Sequence, residues 1–147
     1  MAGQEGHGRL FDYVPAAGGT LISMEDSEGV TFVVTATTDP ETFTLKSATG
    51  EAGSPSTLAA IENWYVSTSQ AGAAGWTEST QAAADTITVA AGSTASVYVD
   101  ASDLPAGANY VSLTASGSGT ATVAAILQLL VQRSPVNLPA RSGSGSS

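Results

Sequence analysis

The stretch TATVAAILQLLVQ, residues 120–132, is the most apolar run of the chain and decides how its fold is read. As a β-strand it would be apolar on one side and mostly apolar on the other, because side chains alternate between the two faces of a sheet. One side would carry Val123, Ala125, Leu127, Leu129 and Val131, and the other Ala124, Ile126, Gln128, Leu130 and Gln132. Such a strand is either central and covered on both faces, or its second face meets another subunit.

Short alternating runs of the same kind fill most of the remaining chain. In VTFVVTAT, residues 30–37, Val, Phe, Val and Ala fall on one face while Thr and Val fall on the other. TFTLKS, residues 42–47, and TASVYVDA, residues 94–101, alternate likewise. Roughly eight or nine strands at spacings of about ten residues predict an all-β fold, an antiparallel β-sandwich. A barrel is the nearest alternative.

Two local features refine this prediction. Leu104, Gly107 and Tyr110 resemble the tyrosine corner of immunoglobulin-like domains, so the sandwich is expected to be immunoglobulin-like or related. An ordinary turn before a strand explains the same residues equally well. The glycine-containing segment 117–119 joins YVSLTAS to the final run and predicts a hairpin between them.

The ends of the chain differ in composition from its middle. Residues 1–19 hold five glycines and are interpreted as an extended N-terminal arm, followed by the sandwich domain at residues 20–132. Residues 133–147 are interpreted as an extended C-terminal arm and flexible tail, because Pro135 and Pro139 prevent regular ladder pairing. Val136 and Leu138 in that arm need a surface to lie on, on the same domain or on a neighbour.

Charge and composition limit the classes of partner. The net charge of −9 repels a phosphate backbone, so no nucleic-acid partner is expected. The N-terminus lacks the apolar region of a signal peptide, and no apolar run approaches the ~18 residues of a membrane span. Synthesis in the cytoplasm and no membrane partner are therefore expected. There are no cysteines, which excludes disulfides and thiolate metal sites.

Residues suited to catalysis are scarce. His7 is the single histidine and lies among glycines, and no serine stands in a GxSxG context. We therefore predict no enzyme activity, no catalytic residue, no cofactor and no metal. Two acidic clusters lack the spacing of an EF-hand loop, and solvated turns are the simpler interpretation, although calcium binding stays open. The clusters are Glu25, Asp26 and Glu28, and Asp100 with Asp103.

The aromatic residues in the middle of the chain are candidate contact residues. Trp64, Tyr65 and Trp76 are large side chains in a sequence with only 6% aromatics. They suit an interface hot spot or a platform on which a sugar ring stacks. The alternative is that one or two of them fill the core.

The order of these motifs resembles a known class of protein. VPAAGGTLI, GVTFVVTAT after an acidic turn, YVSLTA and above all AILQLLVQRSPVNLPA are similar to small structural proteins of tailed phages that infect actinobacteria. The resemblance is to head decoration or minor capsid proteins. It implies a virion protein, made in the host cytoplasm, that decorates and cements the capsid exterior. The major capsid protein would then be its partner.

The predicted function is therefore that of a non-enzymatic decoration protein, expected to form a homo-oligomer. The expected contact residues are Pro135, Val136, Asn137, Leu138, Pro139, Trp64, Tyr65 and Trp76. Two alternatives stay open. The same fold could serve in the tail or at the head-to-tail junction, or it could be a carbohydrate-binding or adhesion module that uses the aromatic side chains.

Overall fold

The fold consists of short strands joined by turns, as seen in a computed structural model that describes residues 9–16, 19–116 and 121–133. A single-turn 3₁₀ helix, Ala101–Asp103, is the exception among the elements named here. The strands are β1 Arg9–Pro15, β2 Ile22–Ser23, β3 Ser27–Ala36, β4 Glu41–Ala48, β5 Ser56–Thr57, β6 Ile61–Ser67, β7 Thr77–Ala84, β8 Thr86–Val89, β9 Ser93–Asp100, β10 Tyr110–Ala115 and β11 Ala121–Arg133.

Two antiparallel sheets pack against each other. The first has six strands in the order β1-β11-β3-β9-β6-β7. The second has the order β2-β10-β4-β5, and β8 also pairs with β4. The prediction of an all-β antiparallel sandwich is thus confirmed. In the part of the chain that the structure describes, no helix has the length and apolar character needed to cross a membrane.

The core lies between the inward faces of the two sheets. In β3, the alternation seen in the sequence buries Phe32 and Val34 completely, whereas Val33 between them is half-buried on the other side. Phe43 and Leu113 of the second sheet are also fully buried. Each side chain of this size contributes about 1.5–3 kcal/mol when removed from water. The core therefore follows directly from the period-two pattern of the strands.

The first sheet begins earlier in the chain than the sequence pattern indicated. Residues 1–19 were expected to form an extended arm, but Arg9–Pro15 is strand β1 and pairs antiparallel with β11. The physical reason is that β11 would otherwise be an edge strand with unpaired backbone groups along a long apolar segment. Residues 1–8, including His7, lie outside the described residues.

The expected hairpin between β10 and β11 is wrong. β10 pairs with β2 and β4 in the second sheet, whereas β11 pairs with β1 and β3 in the first. The chain therefore crosses from one sheet to the other between these strands. β11 extends to Arg133, one residue past the predicted end of the domain. Pro135, Val136, Asn137, Leu138 and Pro139 lie outside the described residues.

Candidate functional site

Large exposed apolar side chains are concentrated on the outer surface of the six-stranded sheet. Every such side chain found in the described residues belongs to this surface, which we call the aromatic face. Its members are Phe11 (53% exposed), Tyr13 (59%), Tyr65 (46%), Trp76 (54%), Tyr98 (46%) and Leu130 (63%). A monomeric protein seldom leaves a contiguous apolar patch of this kind in water, so the aromatic face is the leading candidate for a binding surface.

Strand register aligns the aromatic face in rows across the sheet. Cross-strand neighbours on one face of an antiparallel pair lie close enough for their side chains to touch. One row contains Tyr13, Ile126, Thr31 and Tyr98. The next row contains Pro15, Ala124, Val33, Ser96, Tyr65 and Glu78. The aromatic side chains therefore flank a centre of small and aliphatic residues.

Trp76 is positioned by the loop that precedes β7. Ser69 Oγ accepts hydrogen bonds from the backbone N–H groups of Ala71 and Ala73, both at 3.1 Å, which folds the loop onto itself. Gln70 Nε2 donates to the backbone oxygen of Ala36 at 2.9 Å and so ties the loop to the end of β3. These bonds hold the loop beside the sheet and place the Trp76 side chain at the aromatic face.

Two hollows adjoin each other on this face, with Tyr65 between them. The first has a volume of about 480 Å³ and is lined by Thr31, Val33, Tyr65, Trp76, Ser96 and Ile126. The second has a volume of about 410 Å³ and is lined by Thr31, Asn63, Trp64, Tyr65, Ser96 and Tyr98. The first is mainly apolar, whereas the second adds the amide of Asn63, which donates to Glu78 Oε1 at 3.3 Å.

The hydroxyl end of the Tyr98 ring lies close to Gly29 at one end of the face. A Cβ on Gly29 would stand 2.7 Å from Cε2 of Tyr98, closer than two carbon atoms can approach. The phenol O–H of Tyr98 donates to Asp100 Oδ2 at 3.3 Å. Burial raises the pKa of Tyr98, and the negative charge of Asp100 raises it further. A side chain at position 29 would therefore displace the outer end of the Tyr98 ring from this position.

Asp100 and Asp103, one of the two acidic clusters, have a structural role. Asp100 caps the 3₁₀ turn, because its Oδ1 accepts a hydrogen bond from the backbone N–H of Ser102 at 2.9 Å. That hydrogen bond lowers the pKa of Asp100. Asp103 Oδ2 in turn accepts from the backbone N–H of Asp100 at 3.4 Å, which completes a capping box. The described residues include no group of three or more potential metal-ligating side chains.

The outer face of the second sheet has a different character. It carries Thr42, Thr44 and Lys46 from β4, and the hydroxyls of Thr42 and Thr88 lie 3.3 Å apart. Threonines on a strand suit a solvated sheet surface, because their methyl group packs while the hydroxyl stays hydrated. The contrast between the two outer faces indicates that only the first sheet has a surface suited to burial.

The structure separates the three aromatic residues that the sequence singled out. Tyr65 and Trp76 are exposed and line the same hollow. Trp64 is half-buried and packs against the core. The indole Nε1 of Trp64 is buried and has no hydrogen-bond partner among the residues that the structure describes. Of these three side chains, Tyr65 and Trp76 are therefore the two that are exposed.

Four members of the aromatic face were not among the predicted contact residues. Tyr98 and Leu130 could have been found, since the alternation of β9 and β11 already turns them away from the core. Phe11 and Tyr13 were missed because residues 1–19 were interpreted as an arm. The spacing of FDYVP, with its two aromatic residues on one side, was the available signal.

No protein-family model matches the sequence, and no curated protein matches it. Among solved structures, the chain is similar to the crystal structure of SPBc2 prophage-derived protein YomS, with a TM-score of 0.45 and 11% sequence identity over 81% of this chain and 95% of that chain. The likeness is one of fold alone.

Proposed function

We propose that this protein is a non-enzymatic structural protein of a tailed-phage virion that binds the outside of the capsid shell as a decoration or cementing protein. The observation that carries the proposal is the aromatic face, an exposed and largely apolar surface of the kind that subunits of a larger protein assembly bury, on a chain with a net charge of −9. Such a surface is suited to burial against protein. The capsid as the setting comes from the resemblance of the sequence to phage structural proteins.

The segment after β11 is the part of the chain that the proposal assigns to capsid attachment. Residues 134–147, which include Val136 and Leu138, follow Arg133, the last residue of β11, in the sequence. In the proposal this segment attaches to the major capsid protein. Each such contact is weak, but many copies on one shell sum their effect. Binding would also stabilise the assembled shell by mass action.

The test is co-sedimentation of the purified protein with capsids that lack it. The full chain is compared with a chain that ends at Arg133, which keeps β11 complete. We expect the full chain to sediment with capsids and the shortened chain to stay in the supernatant. A chain that lacks only residues 142–147, the Gly/Ser end, is the matched control and should bind like the full chain. If neither the full chain nor the chain that lacks residues 142–147 binds to capsids, the capsid proposal is wrong.

Two other functions have specific tests. A component of the tail or head-to-tail junction would be present as a single ring per virion, whereas a decoration protein covers the shell, so copy number separates them. A carbohydrate-binding or adhesion module is favoured by the hollow that Tyr65 and Trp76 share. Glycan-array binding that is lost in Trp76→Ala would support that function over the capsid proposal.

A further inference from the structure

The side chains on the outward side of β11 are more apolar than is usual for a sheet face in contact with water. β11 is an interior strand with Ala125, Leu127 and Leu129 buried on the core side. Its opposite side carries Thr122, Ala124, Ile126, Gln128 and Leu130, of which Ile126 is half-buried and Leu130 is 63% exposed. An antiparallel sheet with one wet face normally alternates apolar and polar residues, as β4 does in the second sheet. With three apolar residues out of five, the outward side of β11 is more apolar than the outward side of β4, as expected for a strand that is also covered on its second face.

The area of the aromatic face matches one side of a stable protein interface. Five intervals of about 4.8 Å between six strands give a width of about 24 Å. The distance along β11 from Thr122 to Leu130 is about 27 Å at ~3.4 Å per residue. The projected area is therefore about 650 Å², before side-chain relief is added, against about 800 Å² per partner in standard interfaces.

The distribution of charge favours a neutral partner surface. The centre of the aromatic face, formed by Thr31, Val33, Ser96, Ala124 and Ile126, has no charged residue. Carboxylates stand at its margins. They include Glu62 and Glu78 on β6 and β7, and, at one end of the face, Glu28 of β3 and Asp100 of β9, whose charges both act on Tyr98. A basic partner would find no countercharge in the centre, whereas a second neutral apolar face would fit it.

From these observations we infer that a second copy of this chain covers the aromatic face, with the two six-stranded sheets packed face to face about a two-fold axis that runs along the strands. A two-fold contact uses the same patch on both subunits, so the area and the neutrality of the patch suit both sides at once. With this axis, β1 of each copy lies over the β6–β7 half of the other. Phe11 and Tyr13 then face the margin that carries Glu78, and the two Glu78 side chains stay apart.

The inference deepens the proposed function and rests on it for one consequence. A dimer presents two C-terminal segments after Arg133, so capsid attachment becomes bivalent. The aromatic face itself would then be buried between copies, and attachment to the shell would fall to residues 134–147. Loss of the dimer should weaken capsid binding, whereas loss of the C-terminal segment should leave the dimer intact.

The experiment measures the mass of the full chain in solution by sedimentation equilibrium from about 1 to 100 µM. We expect a dimer for the wild type. Ile126→Lys puts one charge from each subunit into the neutral centre and should raise the dimer Kd by more than about 100-fold. Thr44→Lys is the matched control, because it adds the same charge at a half-buried site on the outer face of the second sheet. It should stay dimeric.

A second variant keeps the test open should Ile126→Lys fail to fold, as judged by its circular dichroism spectrum. Trp76→Lys changes an exposed residue outside the strands and should also give a monomer.

A wild type that is monomeric throughout, a dimer that survives both substitutions, or an assembly without two-fold pairs would each overturn the inference. A wild-type dimer that fails to sediment with capsids contradicts the proposed function alone. A monomer whose capsid binding is lost in Ile126→Lys shows that the capsid covers this face.

Discussion

Replacement of Gly29 by alanine tests the close packing at one end of the aromatic face. The Cβ of the new side chain would lie 2.7 Å from Cε2 of Tyr98, so the ring must move away. The atoms that would clash are the outer end of a side chain that is 46% exposed, so the ring can turn aside at a cost of about 0.5–1.5 kcal/mol of rotamer strain. Alanine at a compatible backbone position regains about 0.4–1 kcal/mol by restricting the unfolded chain. We expect Gly29→Ala to lower the free energy of unfolding by up to about 1 kcal/mol.

The same substitution should have the opposite sign once the ring is removed. In a Tyr98→Ala background the space above Gly29 is open, so Gly29→Ala should leave stability unchanged or raise it by up to about 1 kcal/mol. Urea unfolding of the four proteins, followed by tryptophan fluorescence at one fixed protein concentration, gives the complete cycle. If Gly29→Ala costs the same in both backgrounds within about 0.3 kcal/mol, contact with the ring is not the reason for glycine at this position.

Three further predictions concern single residues. Leu127→Ala should lower the free energy of unfolding by about 2–5 kcal/mol, because Leu127 is buried in the core. Leu130→Ala should change it by less than about 0.5 kcal/mol at low protein concentration, because Leu130 is exposed. Equal effects of the two substitutions would refute the assignment of the two faces of β11. Asp100→Ala should cost about 0.5–1 kcal/mol at neutral pH through loss of the cap. Folding lowers the pKa of Asp100, so this contribution is present above the unfolded pKa of Asp100 and is lost as the pH falls through its folded pKa. The stabilities of the wild type and Asp100→Ala should therefore converge in acid. A difference in stability that does not change with pH would contradict this. In an ultraviolet titration one tyrosine should ionise above the ordinary value of 10.0, and Asp100→Asn should lower the pKa of that tyrosine; an unchanged pKa would argue against the Tyr98–Asp100 hydrogen bond.

The aromatic face connects the architecture with the proposed function. Its residues come from strands that are distant in the sequence, since Tyr13, Tyr65 and Tyr98 meet only when β1, β6 and β9 take their places in one sheet. A decoration protein needs surfaces for its own copies and for the shell. The proposals assign the first to the aromatic face and the second to the segment after Arg133, and the two sedimentation experiments test them separately.

The candidate site was predictable in part. Trp76 and Tyr65 were correctly singled out as large aromatic side chains in a sequence that has few, and both prove to be exposed. Trp64 looked equivalent in the sequence, yet its position on β6 turns it toward the core. Consecutive residues of a strand lie on opposite faces, so only one of this pair can reach the aromatic face. The register shift between Ile61 and Asn63 interrupts the alternation that starts from the buried Ile61, and the sequence does not reveal that shift.

Some properties follow from the sequence by itself because they are local. The alternation in β3 and β11 determines which residues face the core, since side chains in a strand always point to opposite sides in turn. Charge, the absence of cysteine and the scarcity of histidine are also set by composition. These features were sufficient for the prediction of an all-β sandwich and of a mostly apolar second face on β11.

Other properties were decided only by the tertiary structure. Backbone N–H and C=O groups are the same in every residue except proline, which lacks the N–H, so the choice of neighbour for each strand depends on how all the strands pack together. This is why β11 pairs with β3 and β1 and not with β10, which precedes it in the chain. It is also why Arg9–Pro15 completes a sheet that its glycine-rich surroundings did not suggest. The aromatic face exists only because that non-local pairing brings its rows together.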